Sequence, residues 1–145
     1  MDGLHDLRLL SSRSRRLRQG SAAVEFAIVG PLLVVLLMGM VVYGGWFWIA
    51  QSVQSLASES ARAAMGGLDA AERSQLATTF VSTQASQVAG LNPALATVVV
   101  TSDAQAIRVQ VSYDLHGHPL MMLTGMVPSP PTVIQRSAVV RTGGY

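Results

Sequence analysis

The run Gly20-Ser21-Ala22-Ala23-Val24-Glu25-Phe26 holds the residues best placed to do chemistry. Glu25 stands at the mouth of a long apolar stretch, and no charged residue follows it until Glu59. A carboxylate at the edge of a lipid-spanning helix is costly, so its presence argues for a task. Five arginines, Arg8, Arg13, Arg15, Arg16 and Arg18, crowd the chain just before it. Within one chain the carboxylate meets a helix N-terminus favourably, an effect of about 0.3–1 kcal/mol. A second grouping, Asp114-Leu115-His116-Gly117-His118, sets three possible metal ligands at alternate positions, which share a face if a strand continues through them. Gly117 and Pro119 argue instead for a solvated turn.

Other chemistries are poorly served. The absence of cysteine excludes disulfides, thiol catalysis and zinc–thiolate sites. No Gly-x-Ser-x-Gly, His-Glu-x-x-His or phosphate-cradling glycine motif is present, and no serine or threonine is paired with a base by spacing. Catalysis is therefore not expected, nor is a cofactor. All ten basic residues are arginine. Residues 1–20 carry +3 and residues 21–145 carry −1, so the high pI belongs to the N-terminal tail. The arginines stop where the apolar run begins and no aromatic residues interleave them, which argues against nucleic acid as a partner.

The element that must position Glu25 is a helix. Phe26 to Ala50 is free of charge and would reach about 37 Å as a helix, against a hydrocarbon core of about 30 Å. Half of the 145 residues are hydrophobic and 12% are charged, well below the roughly one quarter usual in soluble domains. The arginine bias places the N-terminus in the cytoplasm and the C-terminal part across the membrane. Tyr43, Trp46, Phe47 and Trp48 read as an interfacial aromatic belt at the far end. A cleaved secretory signal is disfavoured, because the apolar run exceeds a signal core of about 7–15 residues. Pro31 removes a backbone donor within the span, which predicts a bend there. Ala23 and Ala27 form a small-xxx-small pair that would admit a neighbouring helix.

Beyond the span the same helix is expected to continue to about Met65. Val53, Leu56, Ala57, Ser60, Ala61 and Ala64 recur on one face, with Gly66-Gly67 as the stop. Asp69 as N-cap and Glu72 three residues on predict a second helix, carrying Leu76, Ala77, Phe80, Val81, Gln84 and Val88 and ending by Gly90. The period then falls to two. Ala96–Thr101 and Ile107–Tyr113 predict a hairpin turning at Ser102–Gln105, and Thr132–Arg141 a third strand. His116–Pro131 is expected to be an irregular crossover. Its patch Leu120-Met121-Met122-Leu123, with Met126 and Val127, either closes the core or forms a contact surface for a neighbour or for lipid. The expected class is α+β: a long transmembrane helix with an amphipathic outer half, a short second helix and a small antiparallel sheet. The corresponding segments are a basic leader (1–20), a transmembrane helix (21–50), its extension (51–65) and a small domain (66–145).

A basic tail, then Gly20 to Phe26, then an apolar helix, resembles the processing region of type IV pilins and pseudopilins. More narrowly, Ala22-Ala23-Val24-Glu25-Phe26-Ala27, Gly30-Pro31-Leu32-Leu33 and Ala61-Arg62-Ala63-Ala64 resemble the TadE-like family, over about residues 17–66. That family assists assembly of the Flp, or tight-adherence, pilus of bacteria. The resemblance implies cleavage between Gly20 and Ser21 by a prepilin peptidase at the cytoplasmic face. Gly20 suits this, since a residue without a side chain lets a protease approach the backbone, and Gln19-Gly20 is expected to break the helix ahead of the span. Cleavage would expose an α-amine on Ser21, mostly protonated at neutral pH, one turn from Glu25. Glu25 then either pairs with that amine on a neighbouring subunit, with Phe26 beside it, or rests at headgroup level. Arg13, Arg15, Arg16 and Arg18 serve either as a topology signal or as a peptidase contact. The implied partners are the peptidase, other pilin or pseudopilin subunits, the inner-membrane pilus platform and membrane lipid. Three roles follow: a minor pilin, an uncleaved membrane-anchored scaffold of the pilus or secretion machine, or an anchored enzyme.

Overall fold

The computed structural model describes the backbone of residues 3–142 and the side chains of residues 22–142. Helix α1 spans Gly3–Ala64 and is followed by α2 (Ala70–Ala85), β1 (Ala96–Ser102), β2 (Ala106–Asp114), the short helix α3 (Pro119–Met122) and β3 (Val133–Arg141). The class is α+β. Two compact units divide at Gly39/Met40.

In the first unit α1 is unbroken through Gln19-Gly20, so the expected helix break and a start near Ala22 are both corrected. A single interior glycine costs a helix only about 1 kcal/mol, and the Arg, Leu and Gln around it are good helix formers. Pro31 also lies inside α1.

In the second unit the sheet order is β1-β2-β3, antiparallel throughout. Val98 pairs with Val111 and Val100 with Val109 across the first ladder, and Tyr113 with Ile134 across the second. The period-two pattern of β2 explains its sidedness. Ile107, Val109, Val111 and Tyr113 are buried, while Arg108 faces solvent. These four share one core with Ile134, with Ala77, Val81 and Ala85 of α2, and with the stripe Val53, Leu56, Ala57, Ala61 and Ala64 of α1. Ser60 is buried in the same stripe and donates to the Ala57 carbonyl at 3.1 Å. All six stripe positions read from the sequence are thus interior. Among the described residues every buried side-chain polar atom has a partner.

Caps define the elements. Asp69 Oδ1 accepts the Glu72 N–H at 2.8 Å, as the capping pattern requires. Glu72 reciprocates one residue earlier than expected, accepting the Leu68 N–H at 2.8 Å. Helix α2 ends at Ala85 rather than by Gly90, where Ser82 and Ser86 donate back to the Thr79 and Thr83 carbonyls and compete with the ladder. Its buried face is Ala77, Val81 and Ala85, four residues apart, so Leu76 and Gln84 are exposed. The hairpin turn closes on Asp103, whose Oδ1 accepts from the Gln105 and Ala106 N–H groups. The Tyr113 hydroxyl, fully buried, accepts the Asn92 N–H at 2.9 Å.

Candidate functional site

There are two candidate surfaces: the apolar part of α1 from Ala22 onward and, within the second unit, the loop that meets α1 at residues 43–46. Residues 22–41 display apolar side chains on every side: Val24, Phe26, Val29, Leu32, Leu36 and Val41 are all more than half exposed. A helix that is apolar all round and uncovered by protein suits a lipid environment. Among the described residues one helix, within Ala22–Ala64, is long and apolar enough to cross a membrane. Glu25 and Phe26 lie at the N-terminal edge of this run, both exposed. The Phe26 ring lies over Gly30, one turn on, where a methyl group would sit 3.8 Å from its Cε1 and Cζ. Ala23 and Ala27 are exposed one turn apart, open to a neighbouring helix. The side chains of Arg13, Arg15, Arg16 and Arg18, and the Gly20–Ser21 junction beyond its helical backbone, lie outside the described residues.

The apolar character of α1 does not end where its lipid-like exposure ends. Val42 is fully buried, and Ile49 and Ala50 are nearly so. Residues 42–50, which sequence alone grouped with the span, therefore carry a face covered by the chain itself. The loop of residues 115–132 meets them. Tyr43 donates its hydroxyl to the Pro128 carbonyl at 3.2 Å, and Trp46 donates its indole N–H to the Pro131 carbonyl at 3.0 Å. Gly45 lets Leu120 approach, for a Cβ there would sit 2.8 Å from Leu120 Cδ1. Sequence reasoning missed these contacts. The available signal was the Pro128-Ser129-Pro130-Pro131 run, rich in carbonyl acceptors and poor in N–H donors, which invites side-chain donors from elsewhere.

The apolar patch in this loop divides between the two readings. Leu120 and Met121 pack on the core and Val127 is buried, whereas Met122, Leu123 and Met126 are exposed. The loop is also more regular than expected, because α3 and a 3-10 turn at Leu123–Gly125 form within it. His118 explains the start of α3. Its Nδ1 accepts the Leu120 N–H at 3.1 Å, which leaves Nε2–H to donate to the Gly90 carbonyl at 2.9 Å.

Both ring nitrogens of His118 are thereby engaged, which separates it from Asp114 and His116. Those two face each other, with Oδ1 and Nδ1 2.6 Å apart in solvent. The shared strand face needed for a metal site is lost because β2 ends at Asp114. Among the described residues no group of three His, Asp or Glu could hold a metal ion. The Asp114 carboxyl is held below the usual carboxylate range, first by the backbone N–H of His116 and then by its side chain.

Residues 20–62 match the family model described as TadE-like protein, the family that the motifs between residues 17 and 66 resemble. No curated protein and no solved structure gives a significant match. The match points to involvement in tight-adherence pilus assembly.

Proposed function

We propose, from the premise that residues 20–62 form a TadE-like segment, that this chain is a minor pilin or pseudopilin assisting assembly of a bacterial Flp (tight-adherence) type IV pilus. One observation carries the reading. The matched segment opens at Gly20, sets Glu25 five residues on, and leads into about 20 residues whose apolar side chains are largely exposed among the described residues. In this reading the protein is a single-pass protein of the inner membrane with its N-terminus in the cytoplasm, and its role is non-enzymatic. A prepilin peptidase cuts between Gly20 and Ser21, removing the leader with Arg13, Arg15, Arg16 and Arg18. The freed Ser21 amine of one subunit pairs with Glu25 of another, while Phe26 and the Ala23/Ala27 face let the helices meet. Pairing offsets the cost of a charge in lipid, about 2.5–3.5 kcal/mol at mid-helix and less near the interface. Other pilin or pseudopilin subunits and the pilus platform are the partners.

A specific observation favours a second reading, an uncleaved membrane-anchored scaffold. The α1 backbone is helical through Gly20, whereas proteases usually act on extended backbone. The mass of the membrane-purified chain decides between them: a mature N-terminus at Ser21 supports the pilin, and a retained leader supports the scaffold. Gly20→Ala should block maturation, and Glu25→Ala should spare cleavage while impairing assembly. Normal maturation and normal pili in both variants would refute the proposal.

A further inference from the structure

We infer that the loop between β2 and β3 is a second membrane contact, lying in the interfacial layer of the bilayer face from which the domain projects. The inference rests on the membrane-anchor reading of α1 and extends it. Residues 22–41, about 20 in number and about 30 Å as a helix, fill a hydrocarbon core without help from residue 42 onward. α1 continues through this point, and Val42 is already fully buried, so the chain starts to cover its own helix at the residue after that run. Tyr43 and Trp46 tie Pro128 and Pro131 to the first turns after the run, and Leu120 sits against Gly45. The rise from Val41 to Trp46 is about 7 Å, comparable with the headgroup layer on one side of a bilayer.

At this level the domain turns apolar side chains outward. Met122 is 85% exposed, Met126 66% and Trp48 62%, with Phe47 and Leu123 beside them in the same stretches of chain. No Asp, Glu or Arg occurs between Asp114 and Arg136, or on α1 between Glu25 and Glu59. A protein-binding patch ordinarily carries a polar or charged rim. A charge-free collar of Trp, Tyr, Phe and Met directly after a lipid-spanning run matches the interfacial belt instead. Covalent continuity with that run brings lipid to the collar whether or not another protein is near.

The natural absence of cysteine makes the test direct. Single variants Leu33→Cys, Met122→Cys, Met126→Cys and Val99→Cys of the full chain are labelled with an environment-sensitive fluorophore and placed in phosphatidylcholine vesicles. Each is quenched by aqueous iodide and by lipids carrying a quencher at shallow or deep positions. All four native side chains are substantially exposed, so folding should survive the substitutions. Labels at 122 and 126 should be shielded from iodide several-fold relative to 99, and quenched most by the shallow lipid. The label at 33 should respond to the deep lipid. Iodide access at 122 and 126 equal to that at 99, with 33 still in lipid, overturns the inference and leaves the anchor standing. Iodide access at 33 overturns the anchor itself. Shielding at 122 and 126 that vanishes as protein is diluted into excess lipid assigns the patch to a second copy and also overturns the inference.

Discussion

Two glycines respond oppositely to the same added methyl group. At Gly67 a Cβ would sit 2.7 Å from Arg73 N and Cγ and 3.0 Å from Arg73 Cα. Two of those atoms are backbone in the first turn of α2, so no side-chain rotation relieves the contact. The helix start must move, which strains the Arg73 Nε–Gly67 carbonyl bond of 3.1 Å and the Asp69 and Glu72 caps. Overpacking of this kind costs about 1–3 kcal/mol. For a domain of this size that corresponds to a fall in Tm on the order of 5–20 °C. At Gly45 the obstacle is a Leu120 terminal methyl, which can rotate at about 0.5–1.5 kcal/mol. Helix propensity returns about 0.8–1.0 kcal/mol for Gly→Ala. Gly45→Ala should therefore leave Tm within about 4 °C of the parent. Thermal unfolding of the full chain in detergent, followed by near-ultraviolet circular dichroism, reads both. An unchanged Tm for Gly67→Ala, or an equal loss for Gly45→Ala, would refute this account of how α2 and the loop are seated.

Tyr113→Phe should cost about 0.5–1.5 kcal/mol in denaturant unfolding, since it removes the acceptor of the Asn92 N–H and changes little else. Ala57→Leu should lower the urea midpoint by an amount equivalent to about 1–3 kcal/mol, because Ala57 is fully buried, while Ser55→Leu on the exposed face should not. Asp103 is held below its ordinary value of 3.8, first by the Gln105 N–H and then by that of Ala106. The folded state thus binds this proton less tightly than the unfolded chain. Its contribution is present above that value and is lost as pH falls through the folded one. Between about pH 5 and pH 2 the parent should lose more Tm than Asp103→Asn, and equal slopes would discount the turn carboxylate.

Much of this protein was written locally. The charge-free run after Glu25, the stripe from Val53 to Ala64, the Asp69 cap and the alternation of Ile107 to Tyr113 each follow from a short period or a single hydrogen bond. A one-dimensional pattern suffices for such features. The motifs around Glu25 were legible in the same way, and the family match covers that stretch. The His118 cap was not, because its partners include Gly90, 28 residues away, while the neighbouring Gly117 and Pro119 indicated only a solvated turn.

The deeper division concerns residues 42–50. An apolar side chain on a helix is equally content against lipid or against protein, since both remove it from water. Periodicity therefore cannot say which partner it has. Only the fold brings Leu120, Pro128 and Pro131 back to α1, from about 80 residues further along the chain. Leu120 and Met121 of that return pack on the core that holds Ile49 and Ala50, and Met122 and Met126 are left outside. Composition determined that a greasy helix exists; long-range packing decided which stretch of it the chain itself covers.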